Sequence, residues 1–494
     1  MLRRSLLIFI LFICSNPNSF CNEYEIIDFS STTFNDSICR EYWLENNQAW
    51  IEVDTTNYWS PIIFIPGIIF DFSSFSKRVE FYYAHFESEL SFNSAEFKSD
   101  AVFNDVIFNS LISFGGADFR SFASFYGTMF KDTANFDGSI FNALTNFYET
   151  DFGTSASFKH ATFKDDVNFA HANFNSAVVD FENATFDSTA FFWHTTFGPM
   201  VIFREASFLK NAEFYGAKLP DTLDLRSVTQ IKGKLDFTYS LPPRLSKKCL
   251  IALAGADISK IKLRMDLFEL WFPDSSFIVQ DGFIVQAGKK DTVIAADTTI
   301  LNDSSLVITA DTLIGIWDKE IFSHDHKIAV YEQLLEKLAS DGMMESFKIL
   351  DIDYRKFKAK HSGGFSWYFL DTFQDWWWNY GYTKERVFIW AIGFWLLFSF
   401  INLFFYHKLI DGVYSIGFLG AHKYQASKGI KKLIFYNLYV ITYTAQIFFG
   451  LKMNMDNFKT GVIKEHPFLF SYLMIVYIVG LICLGFIVNI IFTR

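Results

Sequence analysis

The sequence predicts a mainly β protein: a β-solenoid, followed by an α-helical neck and C-terminal transmembrane helices. Three observations predict it. Phe recurs through the middle of the chain at steps that alternate between five and six residues. From about Ile328 the apolar spacing becomes helical. Beyond residue 383 lie three long apolar runs, and the N-terminus carries a charged stretch followed by an apolar one.

Composition sets the outer limits. The chain has 494 residues, 62 of them Phe, and is 51% hydrophobic. That is more apolar than an ordinary soluble protein and excludes a disordered chain. A net charge of −11 argues against a nucleic-acid binder, and five Cys exclude a disulfide-dense scaffold.

Residues 1–21 read as a signal peptide. Arg3-Arg4 precede an apolar run, and Ser19-Phe20-Cys21 places small residues at −3 and −1. Bulky Phe20 weakens a lipoprotein reading at Cys21. On this reading the chain beyond residue 21 is exported, with 22–58 as an N-terminal cap. In the exported part Cys39 and Cys249 either pair as a disulfide or remain two separate thiols.

Residues 59–271 carry the ladder. Its regular centre runs through Phe97, Phe103, Phe108, Phe114, Phe119, Phe125, Phe130, Phe136, Phe141, Phe147, Phe152, Phe158, Phe163, Phe169 and Phe174. The run extends from Phe64 to Phe214, and its one irregular step, of seven, falls between Phe174 and Phe181. Two positions before most of these Phe stands a small or β-branched residue, such as Ala95, Ala117, Thr128 or Ala161. A period of eleven would suit a right-handed helical supercoil, but Phe, Asn, Ser, Thr, Asp and Gly are poor helix formers. Two-residue alternation is absent as well, which leaves a solenoid whose coils share backbone hydrogen bonds. Each side turns one Phe inward, and the small residue fits the crowded interior. Basic residues such as Lys98, Arg120, Lys131 and Lys159 point outward toward partners.

Ala117-Asp118-Phe119 and Ala172-Asn173-Phe174, repeated at this spacing, resemble the pentapeptide-repeat family and its unit Ala-(Asp/Asn)-(Leu/Phe)-x-x. The resemblance implies a right-handed quadrilateral β-helix with four sides per coil. The chain departs from the family by one added residue in every second unit, which makes a coil of 22 residues and predicts bulges at corners, with a larger one near Val178–Val179. After Leu219 the beat loosens, Pro242–Lys248 interrupts it, and the stack ends near 271.

Residues 272–320 alternate apolar and polar, with Asp281-Gly282 as a turn, and predict a β-rich insertion of short antiparallel strands. Within 321–382, Ile328, Tyr331, Leu334, Leu335 and Leu338 make one helical face, and Met344, Phe347, Leu350, Tyr354 and Phe357 a second. Ser340-Asp341-Gly342 breaks between them. An aromatic helix follows, with Trp376, Trp377 and Trp378 suited to the membrane interface or, alternatively, to packing on the helix pair. Tyr331-Glu332, Leu350–Arg355 and Trp376–Arg386 resemble the juxtamembrane part of bacterial membrane-anchored pentapeptide-repeat proteins, a resemblance that implies no activity.

Residues 383–494 hold spans near 387–406, 433–451 and 468–492. The basic loop with Lys423, Lys428, Lys431 and Lys432 is placed in the cytoplasm and the repeats on the exported side. The middle run carries Thr442, Thr444 and Gln446, which serve either a pore or helix packing. Some pentapeptide-repeat proteins end in a two-span potassium-channel module. Tyr436–Gly450 lies where its filter would be, but lacks the Thr-Val-Gly-Tyr-Gly pattern that aligns backbone carbonyls. DNA mimicry toward gyrase, another family role, is incompatible with export.

No Gly-x-Ser-x-Gly elbow, phosphate-binding loop, zinc Cys pair or HExxH motif occurs. His324-Asp325-His326 lacks a third ligand and reads as a polar helix start. The expectation is a non-enzymatic envelope scaffold with no cofactor, catalytic residue, metal or nucleic acid. Its partners are the lipid bilayer and a protein on the solenoid; a channel-like or sensing protein is the alternative.

Overall fold

The computed structural model describes residues 27–34, 51–52, 62–245, 247–272, 277–280, 283–286, 293–294, 324–361, 365–413, 429–451 and 467–492. The chain divides into two compact units, residues 1–350 and 351–494.

A side chain can face one axis at every fifth or sixth residue only if the backbone turns a corner at each step. The first unit does this with strands mostly two residues long. Leu90–Ser91, Glu96–Phe97, Ala101–Val102 and Ile107–Phe108 lie on successive faces, here faces 1 to 4. Strands of one face pair in parallel, except Ile51–Glu52 at the start of face 4, giving among the described residues sheets of 11, 8, 9 and 8 strands and roughly nine turns of a four-sided β-solenoid. The register is one coil per 22 residues, as in Ile68↔Leu90↔Ile112↔Ala134↔Ala156. Ala156 then pairs with Val179, one residue later than the rule. Asp151 still pairs with Asn173, and Ser155 with Val178, so the added residue sits at 175–177, just before the strand at Val178 rather than within it.

The alternation of five and six reflects two kinds of corner. After faces 1 and 3 the chain makes a tight turn closed by an i→i+3 hydrogen bond, such as Ala95 N to Phe92 O at 3.0 Å and Thr128 N to Phe125 O at 3.1 Å. The third residue of the turn has positive φ, as in Ser94 (56°), Asp105 (55°), Gly116 (67°) and Gly127 (63°). This is the pattern of a type II turn. The corners after faces 2 and 4 hold one more residue and no left-handed one.

Inside, four Phe per coil fill the cross-section. Rings one coil apart stack, as Phe92 on Phe114 at 5.1 Å and Phe97 on Phe119 at 4.8 Å. Rings from faces 1 and 3 meet edge to face, as Phe103 with Phe114 at 5.3 Å. Both geometries suit the ring quadrupole. The small residues are buried too, with Ala95, Ala117, Ala161 and Thr128 at 0% exposure. Where a Thr or Ser takes this place after a tight corner, its hydroxyl donates to a carbonyl of the preceding coil: Ser139 Oγ to Phe114 O at 2.8 Å, and Thr150 Oγ1 to Phe125 O at 2.7 Å. A buried hydroxyl without such an acceptor would be costly.

The stack begins earlier than the ladder suggests. Ile27–Asp28 and Thr33–Phe34 pair in parallel with Ile68–Ile69 and Ser74–Phe75, while Ile51–Glu52 pairs antiparallel to Ile63–Phe64. At the other end the coils become irregular in length, Leu223 pairing with Ile251 and Ile251 with Leu270. Helix α1 (His324–Ser340) buries Val330, Tyr331, Leu334 and Leu338. It packs on the 3-10 turn Ile258–Lys260, and Tyr331 meets Phe272 at 5.8 Å. The first turn of α2 (Met344–His361) ties to the last coil, Met265 N donating to Ser346 Oγ at 3.1 Å. A separate antiparallel sheet joins Phe277–Gln280, Phe283–Gln286 and Val293–Ile294. The signal-peptide reading, Cys39 and residues 295–320 lie outside the described residues.

The second unit contains α3 (Phe365–Trp378), α4 (Glu385–Gly412), α5 (Ile430–Phe448) and α6 (Pro467–Phe492). Helices α4, α5 and α6 pack on one another around Val387, Ala391, Tyr443, Ile447, Leu473 and Val476. Two helical stretches, Glu385–Leu409 and Pro467–Phe492, are long and apolar enough to cross a membrane. Helix α5 is less apolar: it carries Lys431, Lys432, Asn437, Thr442, Thr444, Gln446 and three Tyr.

Candidate interaction surfaces

Every Phe of the regular ladder is at most 1% exposed, so these rings form the interior of the solenoid. The side chains available to a partner sit on faces and corners. The basic residues expected to meet partners are mostly neutralised by carboxylates beside them. Lys98 pairs with Glu96 at 3.1 Å, Arg120 with Asp118 at 3.0 Å and also with Glu96, and Lys159 with Asp180 at 3.2 Å. Burial raises the Glu96 pKa, but hydrogen bonds from Lys98 and Ser74 and the charge of Arg120 outweigh it and hold the carboxyl below its ordinary value. Lys131 lines a hollow of about 400 Å³ on face 4 beside the 175–177 bulge, with Met129, Asp151, Asn173 and Ser176. Burial pushes the Asp151 carboxyl up there, and Asn173 donates to it at 3.1 Å.

The two tight corners differ sharply. After face 1 the turn residues are mostly polar, Phe72 excepted: Asn93-Ser94, Asp137-Gly138, Glu182-Asn183, Arg226-Ser227. They bond to each other and to neighbouring rungs. Asp71 accepts from Asn93 N at 2.8 Å, Ser113 Oγ donates to Asn93 at 2.6 Å, and Arg226 meets buried Asp224 at 2.7 Å. After face 3 every turn but Asn104-Asp105 carries an aromatic ring: Tyr82-Tyr83, Tyr126, Tyr148, His171, Trp193-His194, Tyr215, Tyr239. They form an outward column. Tyr126 stacks on Tyr148 at 5.8 Å, Tyr148 meets His171 at 5.3 Å, His171 stacks on His194 at 5.1 Å, and Tyr215 and Tyr239 continue it. Glycine at Gly127 leaves room for a larger neighbour: a Cβ there would lie 2.5 Å from Asp105 Oδ1. The sequence signal was present, as an aromatic one or two places after Phe81, Phe125, Phe147, Phe169, Phe192, Phe214 and Phe237, but the inward ladder masked it.

In the second unit Trp376 is 45% exposed, whereas Trp377 is 3% exposed and packs on Phe373, Phe394 and Phe486; Trp378 meets Phe486 edge to face at 4.9 Å. The three Trp therefore face different surroundings rather than forming one exposed belt. Tyr382 donates to Asp351 at 2.7 Å, and burial and that carboxylate push its phenol up to about 12. Thr444 joins a buried chain across three helices: Tyr472 donates to Asn402 Oδ1 at 2.9 Å, and Asn402 Nδ2 to Thr444 Oγ1 at 2.8 Å. Thr442 returns its hydroxyl to Leu438 O at 2.7 Å, while Gln446 keeps a buried Oε1 without a partner among the described residues. Gly450, the lone glycine of the filter-like stretch, has φ 66° and ends α5, with Leu451 N bonding Gln446 O at 3.0 Å as in a helix-stop motif. Cys249 is a buried thiol whose pKa burial raises. Among the described residues no group of three or more His, Cys, Asp or Glu converges as metal ligands would.

Four sheets of short strands, with an inward Phe at every fifth or sixth position, define a four-sided β-solenoid. Among solved structures the chain is similar to a trypsin-treated variant of QnrB1, a plasmid-mediated fluoroquinolone resistance protein. That match has 18% identity over 42% of this chain and 91% of that one, with a TM-score of 0.17, which is too low to carry an argument. No protein-family model and no curated protein matches the chain.

Proposed function

We propose that the chain is a non-enzymatic, membrane-anchored scaffold that displays its solenoid on the exported side as a protein-interaction surface. The observation that carries the anchor is the outward face of the apolar helices. On α4, Ile389, Phe400 and Phe404 are 67%, 60% and 71% exposed, and on α6 Ile475 and Ile491 are 55% and 61% exposed. Such area is costly in water and favourable in lipid. The solenoid adds a rigid support whose functional variation lies in outward residues.

The test is alkaline extraction of cell membranes, followed by protease treatment of intact spheroplasts. The reading expects the chain to stay with the lipid pellet and the repeats to be reached from outside. Release into the alkaline supernatant would refute the anchor, and repeats cut only after lysis would refute the orientation.

A channel-like or sensing reading rests on the unpartnered Gln446 Oε1. Ion flux in liposomes that changes with Gln446→Leu would favour it. Against it, Thr444 is spent on Asn402, and Gly450 on ending a helix.

A further inference from the structure

The aromatic corner after face 3 has a charge pattern of its own. Asp105 lies over Gly127, and Glu149 accepts from Tyr126 Oη at 3.4 Å, so two carboxylates flank the Tyr126–Tyr148 stack. Further along, Glu213 accepts from Trp193 Nε1 at 3.0 Å. None of these three carboxylates has a Lys or Arg partner among the described residues, in contrast to Glu96, Asp118, Asp180 and Glu182 elsewhere on the solenoid. The rings are outward: Tyr126 is 37% exposed, Trp193 42% and Tyr215 57%. At about 4.8 Å per coil, the column from Tyr126 to Tyr239 runs roughly 24 Å along the axis.

We propose that this corner docks a segment of a partner protein rich in Arg or Lys, whose cations lie against the ring column and pair with Asp105, Glu149 and Glu213. Cations are attracted to aromatic faces and to the carboxylates that flank them. The opposite corner offers no such site: it has no ring column, and Asp137, Asp180, Glu182 and Asp224 are already bonded to Arg204, Arg226, Lys159 and rung hydroxyls. The inference deepens the scaffold reading and rests on it.

The test is fluorescence anisotropy of a fluorescein-labelled peptide of alternating Arg and Gly, titrated with the full chain in detergent at near-physiological salt. Tyr126→Ser with Tyr148→Ser should weaken binding about tenfold, while the double Phe exchange should leave it within about twofold. Glu149→Gln should weaken it several-fold, and Glu205→Gln, the same charge change on the opposite corner, should leave it unchanged. Equal effects of the two Glu exchanges, or a double Ser variant that binds like the parent, would overturn the proposal. If the double Ser variant does not fold, the Glu pair decides. Binding of a labelled neutral oligosaccharide in place of the peptide would also overturn it, while leaving an interaction scaffold standing. If the peptide binds but the chain is released by alkaline extraction, the anchor fails and the corner stands.

Discussion

Phe136 is the sharpest probe of the interior. It is 0% exposed, stacked between Phe114 at 5.1 Å and Phe158 at 5.0 Å, with Phe125 and Phe147 edge-on at 5.3 and 5.5 Å. Phe136→Ala removes a ring from a site that cannot collapse, because the backbone around it is held by coil-to-coil hydrogen bonds. Phe136 N to Ser157 O and Phe114 N to Asn135 O are each 2.7 Å. A Phe→Ala exchange in a core costs about 3–5 kcal/mol, and the rigid surroundings place this one near the upper end, about 4–5 kcal/mol. That is roughly a thousandfold rise in the local opening constant. Phe136→Leu, which refills most of the volume, should cost about 1 kcal/mol. Native-state hydrogen exchange reads the effect locally. Amides of Phe114 and Phe136 should exchange far faster, while Phe203, bonded to Asp224 O at 2.8 Å several coils away, should change little, since coils couple mainly to their neighbours. A rise below tenfold at Phe136, or an equal loss everywhere, would refute the inward, nearest-neighbour core.

Glu205 is exposed at φ 59°, a conformation that costs an L-residue about 1–2 kcal/mol. Glu205→Gly should therefore stabilise the fold by about 0.5 kcal/mol after the entropy of the added Gly, and raise the melting temperature slightly; a lower melting point would contradict the left-handed corner. A Cβ on Gly480 would lie 1.6 Å from Phe448 O, so Gly480→Ala must push α5 and α6 apart. It should cost about 2 kcal/mol and expose the C-terminal helices to protease in detergent, and an unchanged digest would contradict the packing. Burial holds the His85 imidazole below its ordinary 6.5, so the ring's contribution is present above 6.5 and lost as pH falls through the depressed value. The melting-temperature advantage of the parent over His85→Gln should shrink between about pH 7 and pH 5; a constant difference would remove His85 from the acid limb.

The ladder was legible because an inward side chain on a five- or six-residue step leaves a period in the sequence, and its small companions mark where the interior has no room. The break between α1 and α2 was legible for a similar reason, with Gly342 at φ 71°. Other features left weaker marks. The left-handed corners are mostly occupied by Ser, Asp, Glu, His and Asn rather than Gly, because hydrogen bonds to both adjacent coils hold them there, so glycine spacing did not reveal them. The early return of Ile27–Phe34 to the stack spans a register longer than one coil, which no local period reports. Trp377 carries the composition of an interface residue, and only its contacts with Phe394 and Phe486 show it to be interior.

The alternating corners give the solenoid an internal phase. Leu90 and Ala101, eleven residues apart, occupy equivalent places on opposite faces, and Ala101 and Ile112 repeat the relation. Gaining or losing eleven residues would keep every Phe inward and every tight turn in place, yet carry all later coils half a revolution round the axis. Aromatic and polar edges would then exchange sides beyond the join. A change of 22 would lengthen or shorten the column without moving it. The core thus tolerates both events, but only whole coils keep one continuous edge, so selection on that edge would count residues in twenty-twos where selection on folding counts in elevens.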